Sequence, residues 1–382
     1  MQLSPVLAAT GTYPFVRLEQ RKQRLAAHGV ELIDFGKGDP REETDHAIRQ
    51  ALVDALEPSS SYPLAEGVPE LRSAVAGWCR RRFGVALDPE REVIPTYGSK
   101  EAIFHLAQVV LDRDGDKRLV LTTEPGYPVY GRGALFAGGE VERLPLLEGN
   151  GFLPDLSAVG EETWQRTAIL WINYPNNPTG AVAPLEFLER LAALAREHDF
   201  LLAADEAYTE LWFEEPPCSA LQVSDRGNVV VFNTLSKRSS MTGYRSGFVA
   251  GSPELIAALR QYRPSVGTAP QEFVQRASVI AWSDEGHVER TRSIYRRKRE
   301  LLLPVLTRKG IRVAGSVATM YLWLEAPPGQ SSEELAERLL EYGLIVSPGS
   351  FFGPSGARYW RLALVPTEDE CARAGAILER VL

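Results

Sequence analysis

Residues 233–247, NTLSKRSSMTGYRSG, place Lys237 just after the apolar run VVVF and eight residues before Arg245. The stretch contains four serines, two threonines and two glycines, a composition typical of turns. Taken alone, it is compatible with a turn that exposes Lys237 and Arg245 as solvated cations. The surrounding sequence decides whether Lys237 has a chemical function instead.

Short apolar segments recur around this stretch and predict buried strands. Their β-branched and aliphatic residues do not alternate with polar ones, as expected for a sheet covered on both faces. Between two of them, APLEFLERLAALAREHD (183–199) has leucines at helical spacing, which predicts strand–helix–strand units and a mainly parallel sheet. The predicted strands are RLVLTT (118–123), AILWIN (168–173), FLLAAD (200–205), NVVVFN (228–233) and GFVAG (247–251).

The last third of the chain has a different pattern. EELAERLLEYG predicts a helix that ends at Gly343, and YWRLALV (359–365) predicts an alternating strand. TEDECARAGAILERVL begins with a capping-box pattern, Thr367 to Glu370, and predicts a helix to the end. We therefore expect a large α/β domain over residues 41–265 and a small α+β domain formed by residues 1–40 and 266–382.

Composition narrows the class of protein. The 382 residues carry a net charge of −8 without a long basic stripe, which argues against nucleic acid as a partner. The basic segment YRRKRELLL, around Arg296–Arg299, is interpreted as the solvated face of a helix.

Cysteine and histidine usage predicts neither a disulfide framework nor a metal site. Three cysteines lie far apart, and the five histidines are scattered. The first residues do not resemble a signal peptide, and no apolar run approaches a membrane span. We expect a soluble cytoplasmic protein without a membrane partner.

Unusual polar clusters follow four of the predicted strands. EPGYPVY follows RLVLTT, YPNNPTG follows AILWIN, EAYTE follows FLLAAD, and LSKRSS follows the strand before Lys237. Each cluster alone has an ordinary turn composition. Because open α/β sheets bind ligands at the carboxyl ends of their strands, the four clusters together predict one ligand-binding crevice.

The residue types in these clusters match the needs of pyridoxal phosphate. Lys237 can supply the amine for a Schiff base, and Asp205 can supply the carboxylate that keeps the ring nitrogen protonated. Asn177 and Tyr208 can hydrogen-bond the ring hydroxyl, and Tyr127 offers a flat face for the ring. We therefore expect pyridoxal phosphate as cofactor.

The phosphate group needs cationic and backbone donors. Arg245 is one candidate. A second is the start of YGSKEAIFHLAQVVL, where Gly98, Ser99 and Lys100 open a helix whose free N–H groups favour an anion.

The chain resembles the fold type I, pyridoxal-phosphate-dependent aminotransferases of the aspartate aminotransferase group. The resemblance covers nearly all of the chain, and its motifs occur in the family's order. It implies a mainly parallel seven-stranded sheet with a smaller α+β domain. The motifs are FGKGDP, SYPLAEGVPELR, YGSKEA, EPGYPVY, NYPNNPTG, DEAY, SKRSSMTGYRSGF and PGSFFG followed by YWRLAL.

The resemblance also implies roles for single residues. Lys237 matches the Schiff-base lysine, Asp205 the partner of the ring nitrogen, and Tyr127 the stacking aromatic residue. Tyr62 matches a tyrosine that reaches the phosphate of the neighbouring subunit, which implies a homodimer with shared active sites. The other matches are Asn177 and Tyr208 at the ring oxygen, Ser99, Lys100, Ser236 and Arg245 at the phosphate, and Gly38 and Arg361 at the substrate's α-carboxylate.

Two positions depart from the usual lysine signature. Thr234 stands where glycine or serine is common, and it keeps a hydroxyl group. Ser246 stands where a small apolar residue is usual, and it removes no chemical group.

Arg361 can also be argued from its own surroundings. A guanidinium within the apolar strand YWRLALV is costly unless an anion pairs with it. A substrate carboxylate is its natural bidentate partner, and a salt bridge to a protein carboxylate is the alternative.

Within the group, the chain resembles in particular the N-succinyldiaminopimelate aminotransferases. TYPFVRLEQRKQRL, FGKGDPREETD, YGSKEAIFHLAQVV and RPSVGTAPQEFVQRASVIAWSDEGHVE carry this similarity. It implies exchange of an amino group between glutamate and an N-succinylated 2-amino-6-oxopimelate. Lys37 either meets a distal carboxylate of the substrate or is a surface lysine.

Three other functions remain open from the sequence. The first is an aminotransferase for aspartate, aromatic or specialised-metabolism amino acids. The second is a lyase or cyclase on the same scaffold, and the third is a non-catalytic sensor. Transamination requires Lys237 to act as base and then as acid. Its pKa must therefore lie well below the ordinary value of about 10.4.

Overall fold

The structure is a computed structural model that describes residues 1, 3–10, 22–23, 25, 29, 31–59 and 61–382. Most of TYPFVRLEQRKQRL, residues 12–25, lies outside these described residues. In the described part, the strands are β1 Ile33–Asp34, β2 Val93–Thr96, β3 Leu119–Glu124, β4 Glu140–Pro145, β5 Thr167–Asn173, β6 Leu201–Asp205, β7 Val229–Thr234, β8 Gly247–Gly251, β9 Tyr321–Glu325, β10 Leu344–Ile345, β11 Ser347–Pro348 and β12 Tyr359–Ala363.

Helices occur throughout the same described part. They are α1 Pro5–Thr10, α2 His46–Asp54, α3 Pro69–Phe83, α4 Gly98–Val110, α5 Val129–Ala137, α6 Glu161–Arg166, α7 Leu185–Glu197, α8 Leu235–Arg238, α9 Pro253–Val266, α10 Glu272–Ser283, α11 Gly286–Arg308, α12 Ser332–Glu341 and α13 Glu368–Val381. None of these helices is long and apolar enough to cross a membrane.

The central feature is a seven-stranded sheet with strand order β2-β8-β7-β6-β5-β3-β4. Strand β8 runs antiparallel to both of its neighbours, and the other strand pairs are parallel. The predicted mainly parallel α/β fold is confirmed, as are the five strands expected from apolar runs. The other two strands gave weaker signals, because β2 has only four residues including a proline, and β4 is a largely exposed edge.

Both faces of this sheet are covered, which explains why its strands do not alternate with polar residues. One apolar cluster joins Leu202 and Val231 to Leu191 of α7 and Trp78 of α3. A second cluster on the opposite face joins Ala203, Val230 and Phe232 to α4, α5 and α9. Successive strand residues thus point to opposite faces, and both faces are buried.

A three-stranded antiparallel sheet, ordered β11-β12-β9, forms the second layer with helices α11 and α13. The capping box of Thr367 and Glu370 is present at the start of α13, as predicted. The alternation predicted for β12 is wrong, because all five of its residues are buried. Helix α12 ends at Glu341, and Gly343 follows with a φ of 80° instead of lying inside the helix.

The apolar cluster of this second layer includes Ile33 and Phe35 from the beginning of the chain. Strand β1 pairs in parallel with β10, which brings residues 33–34 beside residues 344–345. These contacts support one part of our proposed small domain of residues 1–40 and 266–382, namely that residues 33–35 belong with the last third of the chain. Helix α10 differs from this proposal, because its Trp282 packs with Trp78 of α3 in the apolar cluster of the central sheet.

The interpretation of the basic segment around Arg296–Arg299 as a solvated face is wrong for Lys298. The Lys298 side chain is 2% exposed and forms an ion pair with Glu42, which is 8% exposed. The sequence pattern could not show this, because the anionic partner lies 256 residues away.

Candidate active site

A cavity of about 710 Å³ opens at the carboxyl ends of β5, β6 and β7. It is the crevice expected from the polar clusters. Every residue assigned to the site from the sequence lines it, except Gly98 and Tyr62. The lining residues among them are Lys37, Gly38, Ser99, Lys100, Tyr127, Asn177, Asp205, Tyr208, Ser236, Lys237, Arg245 and Arg361.

Lys237 is held by the short helix α8, which begins immediately after β7. The Thr234 hydroxyl caps this helix by accepting a hydrogen bond of 3.2 Å from the Ser236 N–H. Lys237 Nζ donates a hydrogen bond to the Gly38 carbonyl. Burial lowers the pKa of Lys237 to about 8, and the neighbouring cation Arg361 adds to this while Asp39 opposes it. The amine thus loses its proton near pH 8, well below the pH at which an ordinary lysine does.

Asp205 is the last residue of β6 and is buried. Its Oδ2 accepts a hydrogen bond of 2.7 Å from the Tyr130 hydroxyl, and its Oδ1 accepts one of 3.2 Å from the Ala207 N–H. Burial raises the pKa of Asp205 to about 6, although these hydrogen bonds and Lys237 act in the opposite direction. A buried carboxylate of this kind gains stability from a cation, and a protonated ring nitrogen would supply one.

Asn177 and Tyr208 are each in contact with a neighbouring polar side chain. The Asn177 N–H donates a hydrogen bond of 2.8 Å to Asn173 Oδ1, which fixes the loop after β5. The Tyr208 hydroxyl lies 2.9 Å from the Tyr321 hydroxyl. Both Asn177 and Tyr208 line the cavity.

The N-terminus of α4 and Arg245 form a compact cationic corner. Gly98, the first residue of α4, has a φ of +67°, and a Cβ atom there would lie 2.5 Å from Arg245 Nη2. Only glycine therefore lets the guanidinium approach this helix start. Burial lowers the pKa of Lys100 in the same corner, and Arg245 lowers it further. Two cations beside the N-terminus of a helix fit a phosphate.

Tyr127 and Ser236 complete this end of the cavity. The Lys100 ammonium lies 5.8 Å from the centre of the Tyr127 ring. The Ser236 hydroxyl accepts a hydrogen bond of 3.0 Å from Thr234 Oγ1. Both residues line the cavity, Tyr127 with a ring and Ser236 with a hydroxyl group.

Arg361 lies in the middle of β12 and is buried. Its Nη1 donates a hydrogen bond of 2.8 Å to Asn177 Oδ1, and its Nη2 donates one of 2.7 Å to the Gly36 carbonyl. Neither acceptor carries a charge. The guanidinium carbon lies 4.2 Å from the centre of the Tyr321 ring and 4.6 Å from that of Phe352. A carboxylate entering the cavity would meet this cation.

Tyr62 is a site candidate that its own chain does not bring to the cavity. Its side chain is 101% exposed. Gly98 lies behind Arg245 and shapes the corner without lining the cavity.

Several residues that line the cavity were not expected from the sequence, among them Asp39, Tyr130, Asn173 and Tyr321. Tyr130 lies three residues after Tyr127 within EPGYPVY, so its motif was noticed but its hydrogen bond to Asp205 was not. Asn173 ends a predicted strand and donates a hydrogen bond of 2.8 Å to the Asp205 carbonyl. Tyr321 begins β9 in the second layer, and no local pattern indicates that it faces the cavity.

Comparison with known proteins agrees with this geometry. The chain is 41% identical to the LL-diaminopimelate aminotransferase of Aquifex aeolicus over 374 residues, covering 96% of each chain. The structure of Thermus thermophilus aspartate aminotransferase with maleate is similar, with a TM-score of 0.91, 34% identity and 100% of each chain covered. A probable N-succinyldiaminopimelate aminotransferase, also from Thermus thermophilus, has a TM-score of 0.88 and 32% identity, covering 96% of this chain and 100% of its own.

The family model for class I and II aminotransferases matches residues 30–377. Fold type I aminotransferases of this family use pyridoxal phosphate, and the amine, buried carboxylate and cationic corner of the cavity fit its aldehyde, ring nitrogen and phosphate. The chain therefore belongs to the class I and II aminotransferases.

Proposed function

We propose that this protein transfers an amino group between glutamate and the 2-oxo acid that corresponds to LL-diaminopimelate. The observation that carries the proposal is the cavity that joins Lys237, Asp205 and Arg361. The substrate assignment is supported by 41% identity to the Aquifex aeolicus relative over 96% of both chains.

In this proposal, the chain's own groups bind the substrate and move one proton. When bound, pyridoxal phosphate supplies an aldehyde that captures the amino group and a ring that draws electrons from the α-carbon. Lys237 Nζ would accept the α-proton of the substrate as a base and then donate it as an acid, for which its lowered pKa of about 8 is suited. Asp205 holds the ring nitrogen, and Arg361 and Gly38 orient the substrate's α-carboxylate.

Two charged side chains beside Gly38 support a substrate with a zwitterionic far end. Lys37 and Asp39 line the same cavity as Arg361. The far end of LL-diaminopimelate carries both a carboxylate and an ammonium group, which match a cation and an anion respectively. Lys37 is therefore our candidate for the distal carboxylate.

The N-succinylated substrate is the second candidate, and similarity to the probable N-succinyldiaminopimelate aminotransferase supports it. Its acylated nitrogen is uncharged, so Asp39 would lack a cationic partner there. Aspartate and aromatic amino acids are the further alternatives within the same reaction class.

A half-reaction screen tests these assignments. The visible absorbance of the enzyme loaded with pyridoxal phosphate is followed after adding each amino donor separately. The donors are LL-diaminopimelate, N-succinyl-LL-diaminopimelate, glutamate, aspartate and an aromatic amino acid. We expect complete conversion with LL-diaminopimelate and glutamate. A faster response to the N-succinylated donor would overturn the substrate assignment. Release of ammonia or pyruvate would indicate a lyase. Binding of a donor without conversion would indicate a sensor.

We also propose a homodimer in which Tyr62 reaches the phosphate site of the neighbouring subunit. Tyr62 is fully exposed, and Val53, Leu56 and Leu64 nearby in the sequence are also exposed, so a second copy that covered this segment would bury apolar side chains. Sedimentation velocity tests the dimer. Tyr62→Phe tests the contact, because it should weaken pyridoxal phosphate binding without dissociating the subunits.

A further inference from the structure

Tyr321 contacts three groups to which the proposed function gives separate roles. It is the first residue of β9, is 2% exposed, and lines the cavity. Its hydroxyl lies 2.9 Å from that of Tyr208, and the two rings meet edge to face at 5.4 Å. The same ring lies 4.2 Å below the guanidinium carbon of Arg361.

The Tyr321 hydroxyl also occupies the space beside Gly38. A Cβ atom at position 38 would collide with this hydroxyl, so the absence of a side chain there makes room for it. The hydroxyl is thus placed between the substrate-binding backbone and Tyr208. Packing alone requires only the ring of a buried tyrosine, whereas this hydroxyl lies at the cavity.

The direction of the Tyr208–Tyr321 hydrogen bond follows from the proton count. Burial raises the pKa of Tyr208 well above its ordinary value, so its hydroxyl keeps its single proton. When Tyr208 donates that proton to the ring oxygen of the cofactor, it can only accept from Tyr321. A hydroxyl that accepts one hydrogen bond is also a stronger donor of the next.

We propose that Tyr321 is a positioning residue with two separable parts. Its hydroxyl donates to Tyr208 and directs the Tyr208 proton at the ring oxygen of pyridoxal phosphate. Its ring face holds the Arg361 guanidinium in the orientation that receives the α-carboxylate. The inference rests on the proposed function.

The first experiment removes only the hydroxyl. Tyr321→Phe is loaded with pyridoxal phosphate, and its visible absorbance is titrated with pH. Without the directed Tyr208 proton, the ring oxygen keeps more negative charge, which favours the protonated form of the Lys237 nitrogen. The midpoint of the pH titration should therefore rise. The proton affinity of the Lys237 nitrogen should increase roughly two- to tenfold, which corresponds to the loss of one hydrogen bond. Tyr208→Phe should raise it at least as far.

The double variant tests whether Tyr321 acts through Tyr208. Tyr208→Phe combined with Tyr321→Phe should show the midpoint of Tyr208→Phe alone. The Tyr321 hydroxyl acts only through the Tyr208 hydroxyl, which Tyr208→Phe has already removed. Tyr295→Phe is the matched control, since Tyr295 is fully buried, bonds Glu42, and does not line the cavity. Its midpoint should equal that of the unmodified enzyme.

The second experiment removes the ring as well. The apparent dissociation constant for glutamate is measured from the concentration dependence of the half-reaction. Tyr321→Phe should leave it unchanged within about twofold, and Tyr321→Leu should raise it about three- to tenfold, because the cation–π contact with Arg361 is lost.

An unchanged midpoint in Tyr321→Phe, or additive shifts in the double variant, would overturn the role of the hydroxyl. Equal glutamate affinity in Tyr321→Leu would overturn the role of the ring. If the unmodified enzyme does not respond to glutamate at all, the proposed function fails instead.

Discussion

Arg361 Nη1 and Asn177 Oδ1 are joined by a hydrogen bond of 2.8 Å, although the two residues are 184 positions apart in the chain. The bond connects strand β12 of the second layer with the loop that follows β5 of the central sheet. The group proposed for the substrate carboxylate and one proposed for the cofactor ring therefore orient each other directly.

Arg361→Lys is expected to keep the charge and lose this geometry. Lysine cannot replace the two donors that now reach Asn177 and Gly36. We expect KM for glutamate to rise about 10- to 100-fold, the value of a charged hydrogen bond, with pyridoxal phosphate affinity retained. Arg358→Lys is the control, because Arg358 is exposed and pairs with Glu325 outside the cavity. An unchanged KM in Arg361→Lys would contradict the assignment.

Lys237→Ala should abolish transamination, because it removes the amine that is proposed to accept the α-proton. Steady-state assays with glutamate measure the effect, and pyridoxal phosphate binding by dialysis shows that the variant is folded. Substantial turnover by this variant would remove Lys237 from the catalytic role.

Capture of pyridoxal phosphate by the cofactor-free protein should depend on pH. Only the neutral amine attacks an aldehyde, and the pKa of Lys237 is lowered to about 8. The rate constant should thus rise with pH up to about 8 and level off above it. Stopped-flow absorbance measures the rate. A rate that keeps rising through the ordinary lysine pKa of about 10.4 would show that Lys237 is not perturbed.

Gly98→Ala should weaken pyridoxal phosphate binding. The added Cβ would lie 2.5 Å from Arg245 Nη2, in a backbone conformation with a φ of +67°. Gly267→Ala is the matched control, because its φ is +71° and nothing lies within 4 Å of its Cβ position. Both variants should lose about 1 kcal/mol of stability, and only Gly98→Ala should lose cofactor affinity. If Gly98→Ala and Gly267→Ala bind pyridoxal phosphate with equal affinity, Gly98 does not shape the phosphate site.

Lys298→Met should destabilise the protein by about 3–5 kcal/mol, because it leaves the buried Glu42 carboxylate without its cation. The double variant Glu42→Leu with Lys298→Met should recover most of this loss. Urea unfolding measures both. The exposed pair Arg308 and Glu379 is the control, and its removal should cost less than about 1 kcal/mol. A double variant as unstable as Lys298→Met would show that the charge is not the cause.

Much of the central sheet could be predicted, because a strand buried on both faces leaves an apolar run in the sequence. The residues at the strand ends, such as Asp205 and Asn177, follow from this assignment. The contacts of Lys298 and Tyr321 could not be predicted, because each depends on a partner that is distant in sequence. In the sequence, Lys298 resembles one more cation on a basic helix, and only the fold places Glu42 beside it.

The reversed direction of β8 has a consequence for the inheritance of this site. Thr234, the last residue of β7, is paired with Gly247, the first residue of β8. The chain therefore leaves the sheet and returns to it at the same end of the strands. Lys237 and Arg245 both lie in the short segment that connects β7 to β8. A recombination breakpoint on either side would transfer both groups as a unit, whereas one between residues 238 and 245 would separate them.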